Sequence, residues 1–412
     1  MRTIYLLQGR MSSQYGLLGR MSDEIGSAFA ARGWRAADAT EADADAAAGR
    51  VEPGSFMLWP NFVQSLEVLP RCVREGELPG VMYYVDHPLA IGGPRMDELS
   101  ALATPRIALP CADGLHLLGL RWPGVRLAHV LHGAPRTALV DADEAARTQA
   151  DGSRGVDVVV CGTVLTEREL EAKRDALPAG MRSMADEAAA LLTSTPWMSI
   201  EQALDLCFGV RGVSMGEWAV LGASASYIVA RVNRTRRLAW VKALDGLKVM
   251  VFGKASWREV CRGTIVYAGE MAYADSPAAM RRAKVCLAWG PTQFTHSFSE
   301  RLLLALAGGA AAVADARLLQ RAHFGSVRED GSVGSGGGPG GGSGGLSVVR
   351  EFDARSPESV RAAVDGLLCD DAARAEIARR GVLAVERGHL WEHRVDRLAA
   401  FAAAGERAAD AA

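Results

Sequence analysis

The stretch KVCLAWGPTQFTHSFSERLLLALAGGAAAVAD, residues 284–315, decides the fold. Lys284–Trp289 reads as a strand, and Gly290–Thr295 as a loop at its carboxyl end. Ser297-Phe298-Ser299-Glu300 fits a capping box, with Ser297 as N-cap and Glu300 at the third helical position. The helix runs to about Ala307, stops at Gly308-Gly309 and delivers a second strand, Ala310–Ala314. Strand, helix, strand in that order is the unit of a parallel sheet covered on both faces.

Outward from this segment the same alternation recurs. Thr3–Leu7 is a strand, followed by a helix from about Asp23 to Arg32 that Gly33 ends. Phe56–Trp59, Gly80–Val85, Ile107–Leu109 and Leu127–Leu131 are further strands bounded by Pro, Gly or polar residues. A second series begins at Val156–Val160 and continues through a long helix near Glu217–Leu244 and the strands Leu247–Phe252, Thr264–Tyr267 and Val285–Ala288. The pattern predicts an N-terminal domain over 1–154, a C-terminal domain over 155–390 and a terminal helix over 391–412. From 325 to 346 the chain is dominated by Gly and Ser, a composition that buries too little to offset its ordering entropy and that reads as a flexible loop.

Bulk properties exclude several classes. With 412 residues, 49% apolar and 23% charged, the chain is long enough for two cores, and its net charge of −2 gives no electrostatic case for nucleic acid. The apolar run in MRTIYLLQGR is too short for a signal peptide or a membrane span, so a cytoplasmic protein without transmembrane segments is expected. Seven scattered cysteines with no C-x-x-C pair argue against zinc and against a disulfide framework.

In an open α/β sheet, ligands lie outside the carboxyl ends of the strands. The free N–H groups and positive dipole end of the helix near Ser299 and Glu300 suit a diphosphate there, and Arg301 adds a charge-assisted contact. Gly162-Thr163 and Gly9-Arg10 are strand-end turns of the same kind, as is Gly253-Lys254. In the N-terminal half, Asp86-His87 and His132 end strands and are candidates for a general base. Asp141-Ala-Asp143 and Asp43-Ala-Asp45 spell D-x-D, but both open Ala-rich helices, where carboxylates favour the dipole, so no metal site is expected. The run Asn233-Arg-Thr-Arg236-Arg237-Leu-Ala-Trp240 reads as a solvated basic helix face and leaves a peripheral membrane contact open.

The strand and loop before HSFSERLLLALAGGAAAVAD, followed by the distal GVLAVERGHLWEHRVDRL, resemble the CgeB-like (spore maturation protein) branch of the GT-B glycosyltransferases. The resemblance covers about Val156–Phe401. VMYYVDHPL and LAHVLHGAP resemble that branch's strand ends in the N-terminal half. It implies two Rossmann-like domains facing each other across a cleft, with the C-terminal helix crossing back to the first. It also implies a nucleotide sugar as co-substrate, with no further cofactor and no metal, and a protein, glycan or lipid-linked acceptor. The donor side would comprise Gly253, Lys254, His296, Ser299, Glu300, Arg301 and Gly309, with Lys254 near the phosphates. Related enzymes place a ribose-binding Glu where this chain has Leu304. A sugar-nucleotide epimerase on the same fold, or an inactive scaffold binding a partner or glycan, is the alternative. A Rossmann oxidoreductase is excluded by the absence of a strand leading into G-x-G-x-x-G.

Overall fold

The computed structural model describes residues 1–7, 16–61, 66–90, 93–151, 154–209, 218–325 and 347–404. The Gly9-Arg10 turn and all but the first residue of the Gly/Ser run lie outside them. Two units are distinguishable: Met1–Pro135 with Ser214–Gly222 and Trp391–Ala412, and Arg136–Val213 with Ala223–Leu390.

The first unit alternates β1 (Thr3–Leu6), α1 (Leu17–Ala31), β2 (Arg35–Asp38), α2 (Ala42–Ala47), β3 (Phe56–Pro60) and α3 (Arg71–Arg74). It continues with β4 (Gly80–Tyr83), α4 (Gly93–Ser100), β5 (Arg106–Leu109), α5 (Asp113–Arg121) and β6 (Arg126–His129). All neighbours are parallel, in the order β2-β1-β3-β4-β5-β6. Ile4, Leu6, Phe56, Leu58, Val81 and Tyr83 from the strands pack with Ile25 and Phe29 of α1. The β2 strand, RAAD, has no apolar run to announce it; it is an edge strand that pairs only with β1.

The second unit holds α6 (Ala142–Ala150), β7 (Val156–Cys161), α7 (Glu167–Asp175), α8 (Ala179–Ser194), α9 (Ile200–Phe208) and α10 (Trp218–Lys242), whose first residues through Gly222 group with the first unit. There follow β8 (Val249–Phe252), β9 (Ile265–Gly269), α11 (Ser276–Met280), β10 (Ala283–Leu287), α12 (Glu300–Ala307) and β11 (Ala311–Asp315). Last come α13 (Leu318–Phe324), β12 (Arg350–Phe352), α14 (Pro357–Leu368) and α15 (Asp371–Gly388). This sheet is also all parallel, ordered β12-β11-β10-β7-β8-β9. Its unit begins at Arg136, ahead of the expected division near 154, because Ala145 of α6 packs on Ala378 and Val382 of α15.

The chain returns to the first unit in α16 (Glu392–Ala403). Val395, Leu398 and Ala402 join the first core, Trp391 N–H donates to the Ala134 carbonyl at 3.0 Å, and Arg32 donates to the Glu392 carbonyl at 3.2 Å. The terminal helix therefore crosses back as the resemblance implies. Among the described residues no helix is long and apolar enough to cross a membrane.

Candidate active site

In the second sheet, β8 and β9 extend from one side of β7, while β10, β11 and β12 extend from the other. Strand order reverses between β7 and β10, and at such a point the loops leave in opposite directions and open a crevice. Gly162 follows β7 there, and a Cβ on it would lie 3.1 Å from Arg301 Nη1 and 3.2 Å from the Trp289 ring. Arg301, in the first turn of α12, spans the reversal: its Nη1 donates to the Cys161 carbonyl at 3.2 Å, and its Nε lies 3.5 Å from Glu300 Oε1. Its side chain keeps 22% exposure.

The cap is displaced from its expected position. Ser299 caps α12 by accepting from Leu302 N–H at 3.3 Å, while Ser297 Oγ donates to the Phe298 carbonyl. Both serines precede a helix-favouring run. Burial of Leu302, Leu303 and Leu306 fixes the later start and makes Glu300 the first helical residue, so the expected capping box does not form. His296 lies half-buried in the loop before the cap.

Lys254 follows β8, on the other side of β7, and its Nζ is 3.7 Å from Glu169 Oε1. Gly253 has φ 146°, and a Cβ there would sit 1.8 Å from the Gly162 carbonyl oxygen. Only glycine lets the β7 and β8 turns touch. Gly309 does not join this group. It precedes β11, at the amino edge of the sheet, where a Cβ would meet Ala145 of α6 at 2.6 Å. It serves helix packing, so its expected place near the donor is corrected.

The basic run of α10 is not solvated. Arg234, Arg236 and Arg237 are buried, at 8%, 7% and 5% exposure. Arg237 Nη1 donates to the Thr163 carbonyl at 2.6 Å, and Arg236 donates to the carbonyls of Leu192 and Thr193. Asn233 Oδ1 accepts from Thr292 Oγ1 at 2.9 Å, tying the β10 loop to the helix. The side chains turn inward because the Thr163 carbonyl after β7 and the last carbonyls of α8 need donors, a demand that helical spacing alone does not reveal. The membrane reading of this run is thereby withdrawn.

Asp315, at the end of β11, accepts from Gly290 N–H at 2.7 Å and from Arg317 Nε at 2.8 Å. Arg317 also donates to the carbonyls of Pro291 and Phe294, which fixes the β10 loop. The edge thus gathers four guanidiniums, Arg236, Arg237, Arg301 and Arg317, with mutual electrostatic influence, against two carboxylates, Asp315 and Glu300. Burial, and then the Arg301 charge, push the Arg237 guanidinium well below its usual value, and burial pushes Arg236 down to about 10. Arg237 Nε and the Trp289 indole N–H are buried with no hydrogen-bond partner among the described residues. Buried, unpaired donors thus accompany a cluster with more guanidiniums than carboxylates.

In the first unit, Asp86, His87 and His132 all follow strand ends on the carboxyl edge. Asp86 is exposed and accepts from Asn61 Nδ2 at 2.7 Å. Asn61, at φ 59°, also accepts from Val85 N–H at 2.8 Å, so it clamps the turn that presents Asp86. His87 is turned inward, its Nδ1 accepting from Leu89 N–H at 3.2 Å. His132 is 1% exposed, with Nδ1 3.2 Å from the Tyr83 hydroxyl. Arg394 of α16 donates to the carbonyls of Leu131 and His132 at 3.2 Å. Asn61 and Arg394 are not singled out as site residues in the sequence; Arg394 lies within the GVLAVERGHLWEHRVDRL stretch that carries the resemblance.

The D-x-D carboxylates are engaged locally. Asp141 caps α6 through Glu144 N–H at 2.8 Å, Asp43 accepts from the N–H groups of Arg71 and Cys72, and Asp45 binds Arg35, Arg50 and Tyr5.

Glu24 on α1, 7% exposed, is a buried acid of another kind. Burial raises it from 4.5 to about 7, with Arg20 and the Trp391 indole pulling it partly back. Because the folded value exceeds the unfolded one, this group's stabilisation is complete below 4.5 and is lost as pH rises through about 7. Glu24→Gln should therefore match the parent protein near pH 4.5 and exceed it by about 3 kcal/mol at pH 8.5, read from urea midpoints.

An α-glucosyltransferase solved in complex with UDP and a 13-mer DNA superimposes over 98% of this chain and 99% of its own, at 10% identity and TM-score 0.51. The chain has the GT-B fold. Sucrose-phosphate synthase from Thermosynechococcus elongatus covers 97% of each chain at 10% identity and TM-score 0.49. WaaG, a glycosyltransferase involved in lipopolysaccharide biosynthesis, covers 98% of this chain and 100% of its own at 10% identity and TM-score 0.47. No family model and no curated protein matches the sequence.

Proposed function

We propose that this chain is a glycosyltransferase that moves a sugar from a nucleoside-diphosphate donor, within or near the CgeB-like branch. The observation that carries this reading is the arginine-rich carboxyl edge of the second sheet, where Arg301 keeps 22% side-chain exposure beside Gly162. The N–H groups of Glu300 and Arg301 at the start of α12, the Arg301 side chain and Lys254 would bind the diphosphate, and their charge would stabilise the leaving group as the glycosidic bond breaks. Arg237 and Arg317 would supply field, and they fix the β7 and β10 loops through the carbonyls of Thr163, Pro291 and Phe294. If the transfer inverts configuration, Asp86 is the best-placed base, since it reaches solvent while His87 and His132 are turned inward.

The chemistry does not call on a metal, because guanidinium and ammonium groups do the neutralising. Turnover is therefore expected to survive exhaustive EDTA treatment, and its loss with restoration by Mg²⁺ or Mn²⁺ would contradict this part of the reading. A thermal-shift screen with UDP-, GDP-, dTDP- and CMP-sugars tests the donor site. A ligand at a hundred times its Kd stabilises by about 2.7 kcal/mol, a shift of a few degrees for units of this size. Stabilisation by none of them would favour the inactive scaffold, the reading consistent with apolar, 1%-exposed Leu304 at the ribose position.

A further inference from the structure

A cavity of about 930 Å³ lies among α7, α8 and α10 of the second unit. Its volume is in the range of small-molecule sites. It exists because the β7-to-β8 crossover, which one helix would complete, carries α7, α8, α9 and α10. All the charges on its walls but that of the exposed Glu171 are already matched. Arg174 grips Asp186 through Nε at 2.9 Å and Nη2 at 2.8 Å, the Tyr227 hydroxyl donates to Asp186 at 2.6 Å, and Arg231 pairs with Glu167. Arg355 is fixed by both oxygens of Asp353.

The pairing selects the ligand class. An anion would need a guanidinium without a carboxylate, and none is offered; Glu171 is a single exposed carboxylate, too well solvated to hold a cation by itself. What remains are unused lone pairs and N–H groups on half-open ion pairs, at 37–42% side-chain exposure for Arg174, Asp186 and Arg231. Such groups hydrogen-bond to neutral hydroxyls in both directions. Burial pushes the Asp186 carboxyl up, but the Arg174 and Tyr227 hydrogen bonds outweigh it and hold it low, so the pairing persists at neutral pH. At the rim, Trp197 is 61% exposed, with the Arg355 guanidinium 5.2 Å from its ring centroid. An indole held in place and open to water offers a flat apolar face to the C–H side of a pyranose ring.

We propose that this groove binds a neutral oligosaccharide, through the Arg174–Asp186 and Arg231–Glu167 pairs and the Trp197 face. The proposal stands whether or not the chain transfers sugars, because it uses none of the groups at the strand-order reversal. The test is calorimetric titration of the full chain with maltotriose, cellotriose and chitotriose. At least one should bind, Trp197→Ala and Asp186→Asn should each weaken it by about tenfold or more, and Arg301→Ala should bind as the parent does. Trp197→Ala is on the surface and keeps the test informative if Asp186→Asn unfolds. Binding of none of the three at millimolar concentration, undiminished binding by Trp197→Ala, or displacement by UDP or inorganic phosphate would overturn the proposal. A failed donor screen with intact trisaccharide binding would count against the transferase reading alone.

Discussion

Arg301→Ala is expected to lower sugar-transfer turnover by about 10²–10³-fold, the cost of removing one donor that stabilises developing charge. The protein should stay folded, because the side chain makes one hydrogen bond, to the Cys161 carbonyl, and one loose contact with Glu300. Removing it also relieves like-charge pressure on Arg237. A thermal midpoint equal to or slightly above that of the parent should therefore accompany the loss of turnover. Arg301→Lys should recover only part of the rate, since an ammonium cannot hold the carbonyl and a phosphate oxygen in one plane as a guanidinium does. Steady-state kinetics with the donor found in the screen, beside melting curves, separates this from a folding defect. Unchanged turnover in Arg301→Ala would remove the diphosphate from this helix start.

Gly253→Ala should be the most destabilising single methyl in the second unit, costing about 3 kcal/mol or more. The added Cβ would fall 1.8 Å from the Gly162 carbonyl oxygen, which is backbone and cannot swing away, and 2.9 Å from the Trp257 indole nitrogen that donates to it. The turns after β7 and β8 would have to separate, moving Gly162 beneath Arg301, so nucleotide affinity should fall with stability. Gly246→Ala is the comparison: its φ of 86° is also positive and disfavours a side chain, but nothing lies within 4 Å of its Cβ. It should cost about 1 kcal/mol from backbone strain alone. Equal urea midpoints for the two variants would show that the Gly162 contact is not tight.

The strands were legible wherever both faces of the sheet are covered, because such strands read as unbroken apolar runs. Phe56–Pro60, Val156–Cys161 and Ala311–Asp315 are of this kind. Arg35–Asp38 was not, since an edge strand needs no apolar run. The strand-end turns at Gly253 and Gly162 were found from their residues, but not the reason for them, which is a contact between two turns 91 residues apart in sequence. Arg236 and Arg237 were misread because a helix with basic residues is normally solvated. Here Arg237 satisfies the Thr163 carbonyl after β7 and Arg236 the last carbonyls of α8, groups that only the folded chain brings near. Gly309 was misplaced because Gly-Gly ends a helix equally well at either edge of a sheet; α6, packed beside it, settles the matter. Ser297 and Ser299 offer two cap registers, and the apolar face of α12 selects the second.

The central claim is that the second unit holds a nucleotide through its diphosphate at the α12 start. Calorimetric titration with uridine, UMP and UDP, or the matching series for whichever base the screen selects, tests it most directly. Affinity should climb with each phosphate, and in Arg301→Ala the diphosphate should fall to within a few-fold of the monophosphate. Equal affinity across the three, or a climb that Arg301→Ala leaves intact, would contradict it.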